Sequence, residues 1–292
     1  MNQKLLGYLR LMRPANLPTA AADILAGVAI AHSLANLSVD ALEGYRLVCL
    51  IGSTVALYAG GVVLNDVFDA KLDAVERPER PIPSGLIPLR NAAVLGILLL
   101  VAGVLFAGLV NTLSGMLAFG LALSILLYDA IAKNHGVLGP FTMGICRGLN
   151  LLLGMSVLGE LKFPLLAIIP VVYIYAITLI SRGEVHGNNK SHIIWAGVLY
   201  AVVLLAALGS VPFLGYGLPF ALLLAFLIYY PLVQAYRNNT PKNIKKAVIS
   251  GVLSIVVLDA VLASGFYTWW YGVLLLLLLP LSLLLSRLFA VT

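Results

Sequence analysis

Asn65, Asp66, Asp69 and Asp73 form the pattern N-D-x-x-D-x-x-x-D at the end of a long apolar run, in a chain of which only 10% is charged. Asn65, Asp69 and Asp73 recur every four residues, so a continuing helix stacks them on one face, with Asp66 about one position round. Like charges at that spacing repel, and at the edge of a bilayer they are also partly desolvated. A divalent cation removes both penalties. Carboxylate and amide oxygens are hard ligands suited to magnesium, which keeps several waters and takes one or two protein carboxylates plus substrate phosphates. These four residues are therefore the candidate Mg2+ ligands.

The stretch that follows reads ERPERPIPSG. Pro78, Pro81 and Pro83 forbid a regular helix interior and hold Arg77 and Arg80 in a restricted backbone. Guanidinium groups offer planar, paired donors that match phosphate oxygens, so Arg77 and Arg80 are candidate phosphate ligands, the oxygens that the resemblance given below assigns to a diphosphate. Ser84-Gly85 supplies a turn. Arg90 reads as an ordinary loop cation.

The elements that carry these residues are membrane helices. The chain has 292 residues, 61% of them hydrophobic, and a mean hydropathy of +1.03, which leaves too little polar surface for a soluble domain. Ten apolar stretches lie near 15–33, 46–66, 91–110, 112–131, 138–158, 163–181, 192–210, 214–235, 247–265 and 268–288. Each is close to the ~20 residues that span a ~30 Å hydrocarbon core as a helix. Continuous apolar runs lack the alternation of a membrane barrel, and lipid cannot satisfy an open backbone. The fold class is all-α.

With the N-terminus inside and all ten stretches crossing, 15 of the 18 Lys and Arg fall inside or near the inner edge; Arg46, Lys162 and Arg147 are the exceptions. That bias orients the chain, and it accounts for the net charge of +6 without any nucleic acid. The first stretch is long and followed by others, so it reads as a retained helix and not a cleaved signal. Cys49 and Cys146 fall inside predicted helices, where packing is the expected role.

Two inner connections carry most of the polar chemistry. One runs from Asn65 to Arg90, and the other is SRGEVHGNNKSH, from Ser181 to His192. Four helices separate them, so both emerge on one face, as in a parallel repeat of two four-helix units.

These residues resemble the UbiA superfamily of intramembrane prenyltransferases. The first motif matches in full at Asn65, Asp66, Asp69 and Asp73, and RPERPIPSG resembles the family's R-x-x-R-P-[IL]-x-x-G. Arg13-Pro14, Tyr128 with Lys133, Gly139-Pro140 and Arg147-Gly148 match further family positions in order along the chain. The resemblance implies one domain over residues 1–292, a helical bundle around a central cavity, usually with nine spans. It implies magnesium gripping the diphosphate of a polyprenyl donor, and a lipophilic or aromatic acceptor attacking the allylic carbon as pyrophosphate leaves. Carried over, it makes Asp69, Asp73 and Lys133 catalytic, and it adds Tyr128 and Arg147 to the diphosphate ligands. Tyr173 and Tyr175 are candidates for cation–π contact with the allylic cation. The expected location is a bacterial inner membrane with the N-terminus and both loops cytoplasmic.

The second motif departs from the family's D-x-E-D-x-x-G-D. Ser181 to Asn188 aligns with it and keeps Gly187, but Glu184 and Asn188 replace two aspartates, and Ser181 and Gly183 replace two further acids. Glu184 and Asn188 complete the candidate metal set, with less charge to hold a cation. Arg182 is a candidate diphosphate ligand, and His186 a less favoured base. The wording of the two loops looks most like the EboC branch of UbiA-like proteins.

Two other classes compete with a transferase. A UbiA-like protein that binds a prenyl lipid without turnover fits the eroded second motif. A transporter with an intramembrane cation site fits polar residues in helices, but here the acids cluster at one edge. A CDP-alcohol phosphotransferase is excluded by the absence of its D-G-x-x-A-R opening. Asp129 is expected to orient Lys133 as an i, i+4 pair, Asp23 and Asp259 to face the bundle interior, and His32, His135 and His192 to be interfacial.

Overall fold

The computed structural model describes residues 3–35, 41–184, 187 and 190–289, and not the side chains of 41–43. The helices are α1 (Gln3–Leu11), α2 (Leu17–Ala35), α3 (Ala41–Phe68), α4 (Ala70–Glu76), α5 (Leu89–Gly108), α6 (Thr112–Ala130), α7 (Leu138–Met155) and α8 (Ile168–Ser181). They continue as α9 (Lys190–Ser210), α10 (Leu214–Arg237), α11 (Pro241–Leu253), α12 (Ile255–Phe266), α13 (Trp269–Leu276) and α14 (Leu278–Leu288). Merged across short breaks, they give ten segments long and apolar enough to cross a membrane, from Pro14–Ala35 to Trp269–Leu288. All ten coincide with the apolar stretches of the sequence. The nine spans implied by the resemblance become ten, because Trp269–Leu288 follows Pro241–Phe266 as a full-length segment of its own. The chain is a multi-pass integral membrane protein.

Burial sorts the helices. α2 and α12 are buried along almost their whole length, whereas the spans at 89–108, 112–130, 190–210 and 269–288 turn Leu105, Phe119, Leu205 and Leu284 outward. Lipid is as apolar as leucine, so helix association depends on close backbone approach and interhelical hydrogen bonds. α2 supplies this with small residues. A Cβ on Gly154 of α7 would lie 2.5 Å from the Ile24 carbonyl oxygen, and one on Gly27 would lie 2.5 Å from that of Leu151. The α3–α5 seam is built similarly: Ser53 Oγ donates to the Gly103 carbonyl at 2.7 Å, and Gly60 meets Gly96 through its carbonyl.

One end of the bundle gathers the polar connections. The α3–α5 connection meets the α6–α7 turn through Asp69 and Lys133. That turn meets Arg182, whose guanidinium lies 3.6 Å from where a Gly136 Cβ would sit. Gly187, at φ +69°, approaches the Asn239 carbonyl oxygen, which a Cβ would meet at 2.8 Å. Both motif loops thus emerge at one face, as expected from four intervening helices.

α1 was not anticipated from hydropathy. It buries Gly7 and Leu11, and Leu11 packs with Val63, Ile82, Ile87 and Ala92. The proline-rich connection is therefore clamped between α1 and the α3–α5 seam.

Candidate functional site

The first motif keeps its register through a helix break. Asp69 sits between α3 and α4 at φ −87°, ψ 0°, but the Asp69 amide still donates to the Asn65 carbonyl at 2.9 Å, and the Asp73 amide to that of Asp69 at 2.8 Å. Asn65, Asp69 and Asp73 therefore stay one turn apart on one face. The Arg77 amide extends the series to the Asp73 carbonyl at 2.8 Å.

Each carboxylate meets a cation brought from elsewhere. Arg13 Nη2 lies 2.5 Å from Asp66 Oδ1, and Arg80 Nη1 lies 2.6 Å from Asp73 Oδ2 and 3.3 Å from Asp66 Oδ1. Lys133 Nζ lies 2.5 Å from Asp69 Oδ1 and 5.9 Å from the Phe68 ring centroid. Asp66 and Asp73 are buried, while Asp69 is the accessible member, with 26% of its side chain exposed. Arg13 holds a left-handed conformation at φ 47° ahead of Pro14, a strained backbone for a non-glycine residue. Arg80 is aimed by its loop: the Arg80 amide donates to the Arg77 carbonyl, the Ser84 amide to that of Arg80, and the Ile87 amide to that of Pro81. Gly85 takes the positive φ of +74° that the turn needs.

Several expectations are corrected. Lys133 closes on Asp69 and is not held by Asp129; Asp129 Oδ1 instead accepts from Asn65 Nδ2 at 2.9 Å. Arg147 lines the cavity, but its guanidinium is engaged in the bundle interior: its Nε lies 2.8 Å from Asp23 Oδ2, and its Nη2 donates to the Thr19 carbonyl. A buried guanidinium is driven to the nearest buried carboxylate, and Asp23 is 1% exposed. Tyr173 is fully buried against Tyr200 and donates to the Gly251 carbonyl. Neither it nor Tyr175 lines the cavity; the aromatic residues that do are Tyr58 and Tyr128. Cys146 lines the cavity as well, while Cys49 is buried. His32 is buried, not interfacial, with Nδ1 2.8 Å from the Val28 carbonyl oxygen. His135 Nδ1 accepts from the amides of Val137 and Leu138 at the start of α7.

Arg77 and Arg182 are exposed at the motif end. Glu184 is half-buried, and burial raises its carboxyl above the ordinary value, an effect that Lys245's charge partly opposes. Asn188 and His186 lie outside the described residues. Arg13 is the motif cation to which the sequence assigns no role; the Arg13-Pro14 match in the resemblance is its sequence signal, because its partner Asp66 is 53 residues away.

Beneath the motif is a cavity of about 270 Å³. Arg13, Asn65, Tyr128 and Asp129 stand around its mouth, and its walls are mostly apolar, including Leu57, Val62, Ile125 and Ile174. Among the described residues no three His, Cys, Asp or Glu side chains converge on one point. The donor set therefore does not form an all-protein metal cage. It fits magnesium shared with a diphosphate, since that ion needs only one or two protein carboxylates.

The UbiA prenyltransferase family model matches residues 22–250. The chain belongs to the UbiA prenyltransferase family. Among its relatives, a digeranylgeranylglyceryl phosphate synthase of Methanothrix thermoacetophila is 37% identical over 147 residues, covering 50% of this chain and 52% of that protein. A second, of Saccharolobus solfataricus, is 27% identical over 245 residues, covering 74% and 85%. The match to the first spans about half of that relative's length. A solved structure of a UbiA homolog from Archaeoglobus fulgidus, bound to GPP and Mg2+, superimposes with a TM-score of 0.61 at 16% identity over 88% of this family member and 99% of that chain. At that identity the likeness establishes the shared UbiA fold.

Proposed function

We propose that this family member is a magnesium-dependent intramembrane prenyltransferase that moves an isoprenoid chain from a polyprenyl diphosphate to a membrane-accessible acceptor, releasing pyrophosphate. One observation carries the reading: three acids and an asparagine, countered by three cations, stand over an apolar cavity. The cations neutralise the acids in the absence of ligand, and the same cations suit the oxygens of an arriving diphosphate.

Asp66, Asp69 and Asp73, with Asn65, would hold magnesium jointly with the diphosphate, and Glu184 with Asn188 would approach from the second loop. When bound, magnesium takes up the negative charge that grows on pyrophosphate as the allylic carbon–oxygen bond breaks. Arg13, Arg80 and Lys133 exchange carboxylate for phosphate oxygens, and Arg77 and Arg182 extend the positive rim. These contacts strengthen as charge develops, so they favour the transition state over the ground state. Tyr58 and Tyr128 border the space below, where an allylic carbon gains positive charge and an aromatic face attracts it. The apolar walls exclude water, which would otherwise capture that carbon.

The names of the relatives make a glyceryl phosphate ether lipid the first acceptor to try. Placement in the EboC branch rests on the wording of the two loops, and the plasma membrane with cytoplasmic loops rests on the Lys and Arg bias. The test is pyrophosphate release by the purified protein in lipid, given geranyl, farnesyl and geranylgeranyl diphosphates with a lipid extract and magnesium, beside Asp69→Ala. Release that requires magnesium and is lost in the variant is expected. Donor binding without release would favour a lipid-binding protein instead.

A further inference from the structure

The cavity has a floor, and the floor has an identifiable cause. Its residues on α3 run from Asn65 at the mouth to Thr54 at the deepest point, eleven positions apart in the sequence. At a rise of 1.5 Å per residue, that is a depth of about 16 Å. At the Thr54 level, Thr54 Oγ1 donates to Asn150 Oδ1 at 2.7 Å. Asn150 Nδ2 donates to the Ala20 carbonyl at 2.9 Å and to Asp23 Oδ2 at 2.7 Å. The amide is thus satisfied on both sides and fixed in place. Below it the bundle is filled: Ile24, Leu50 and Leu153 are fully buried in one cluster, directly beside the contact of Gly27 and Gly154 that brings α2 against α7.

We infer that the Thr54–Asn150 pair is the stop that limits the donor tail, with Leu121 of α6 as the adjustable apolar side chain in the cavity wall about one helical turn nearer the mouth. The inference rests on the prenyl diphosphate reading above. Carbon–carbon bonds of about 1.5 Å carry an extended chain about 5 Å per five-carbon unit, so a 16 Å cavity seats about three units. A hydrogen-bonded polar floor cannot be pushed aside cheaply by a hydrocarbon, since parting the pair leaves buried polar atoms without partners. The donor class selected by this site is therefore a chain of about fifteen carbons, with longer chains gaining nothing from their last unit.

The experiment measures dissociation constants of the non-hydrolysable thiolo-diphosphates of geraniol, farnesol and geranylgeraniol, with magnesium, for the full chain in lipid nanodiscs. Binding to Asp69→Ala is subtracted as membrane background. In the wild type, the farnesyl analogue is expected to bind at least about threefold tighter than the geranyl analogue, because its third unit packs against cavity walls that the shorter tail leaves bare. The geranylgeranyl analogue is expected to gain less than about threefold more. Leu121→Ala should open a new step of at least about fivefold between the farnesyl and geranylgeranyl analogues. Leu121→Phe should erase the step between geranyl and farnesyl, and size-exclusion profiles and circular dichroism matching the wild type show that both variants fold. A geranylgeranyl analogue that binds tenfold tighter than farnesyl to the wild type, or steps that ignore Leu121, would overturn the stop while leaving the prenyl diphosphate reading intact. Magnesium-dependent binding of none of the three would overturn that reading, and the stop with it.

Discussion

Replacing Arg147 by Met should weaken the fold far more than its position in a membrane helix would suggest. The methionine keeps the apolar length of the side chain and removes the charge. Arg147 has 10% of its side chain exposed and Asp23 has 1%, and Asp259, at 2%, stands close enough to bear on the same charge balance. The cluster therefore holds two carboxyl groups and one guanidinium in the bundle interior. Breaking a buried pair from one side costs about 3–5 kcal/mol, because it leaves the other charge without a partner. At about 2 °C per kcal/mol for a chain of this size, melting should fall by about 6–10 °C. Lys162→Met provides the comparison. Its partner Glu160 lies 2.9 Å away, but the two side chains are 45% and 56% exposed, and such pairs contribute about 0–1 kcal/mol. Asp23→Asn added to Arg147→Met removes the stranded charge and should recover more than half of the loss. Thermal unfolding in detergent, followed by circular dichroism, measures all four proteins. An Arg147→Met protein that melts within 1 °C of Lys162→Met would refute the assignment of Arg147 to the structural cluster, and would return it to the diphosphate site.

Two further outcomes are expected. Burial raises the Glu184 carboxyl above its ordinary value, so the folded state binds its proton more tightly than the unfolded state does. Stability from this group is present below the unfolded value and declines as pH rises through the folded one; without magnesium, Glu184→Gln should melt higher than the wild type at neutral pH and equal to it near pH 4, as thermal scans across pH will show. Gly154→Ala forces a Cβ to within 2.5 Å of the Ile24 carbonyl oxygen, whereas Gly120→Ala meets open space. The first should lower the yield of folded protein on size-exclusion chromatography severely, and the second should leave it unchanged or slightly improved.

Hydropathy located every membrane segment because crossing a bilayer is a local demand: each helix must be apolar over its own length, whatever its neighbours do. The first motif was legible for the same kind of reason. Spacing of four sets Asn65, Asp69 and Asp73 on one face by helix geometry alone, and the backbone hydrogen bonds carry that register through the break at Asp69. α1 escaped notice because it is short and docks by one face on the proline-rich connection, so it offers no membrane-length signal. The i, i+4 pair of Asp129 and Lys133 does not form because Lys133 reaches Asp69 at the break between α3 and α4 instead.

The chain by itself determined the all-helical membrane class, the ten segments and the acidic face. Tertiary structure alone decided which cation meets which acid: Arg13 joins Asp66 across 53 residues, and Lys133 joins Asp69 across 64. It also decided that Arg147 pairs with Asp23, that Tyr58 and Tyr128 face the cavity while Tyr173 does not, and that Thr54 and Asn150 join by a hydrogen bond in the cavity wall. The physical reason is that these outcomes depend on how closely helices approach. In a membrane that distance is set by glycines such as Gly27 and Gly154 meeting across a seam, a pairing that spacing along either helix does not specify.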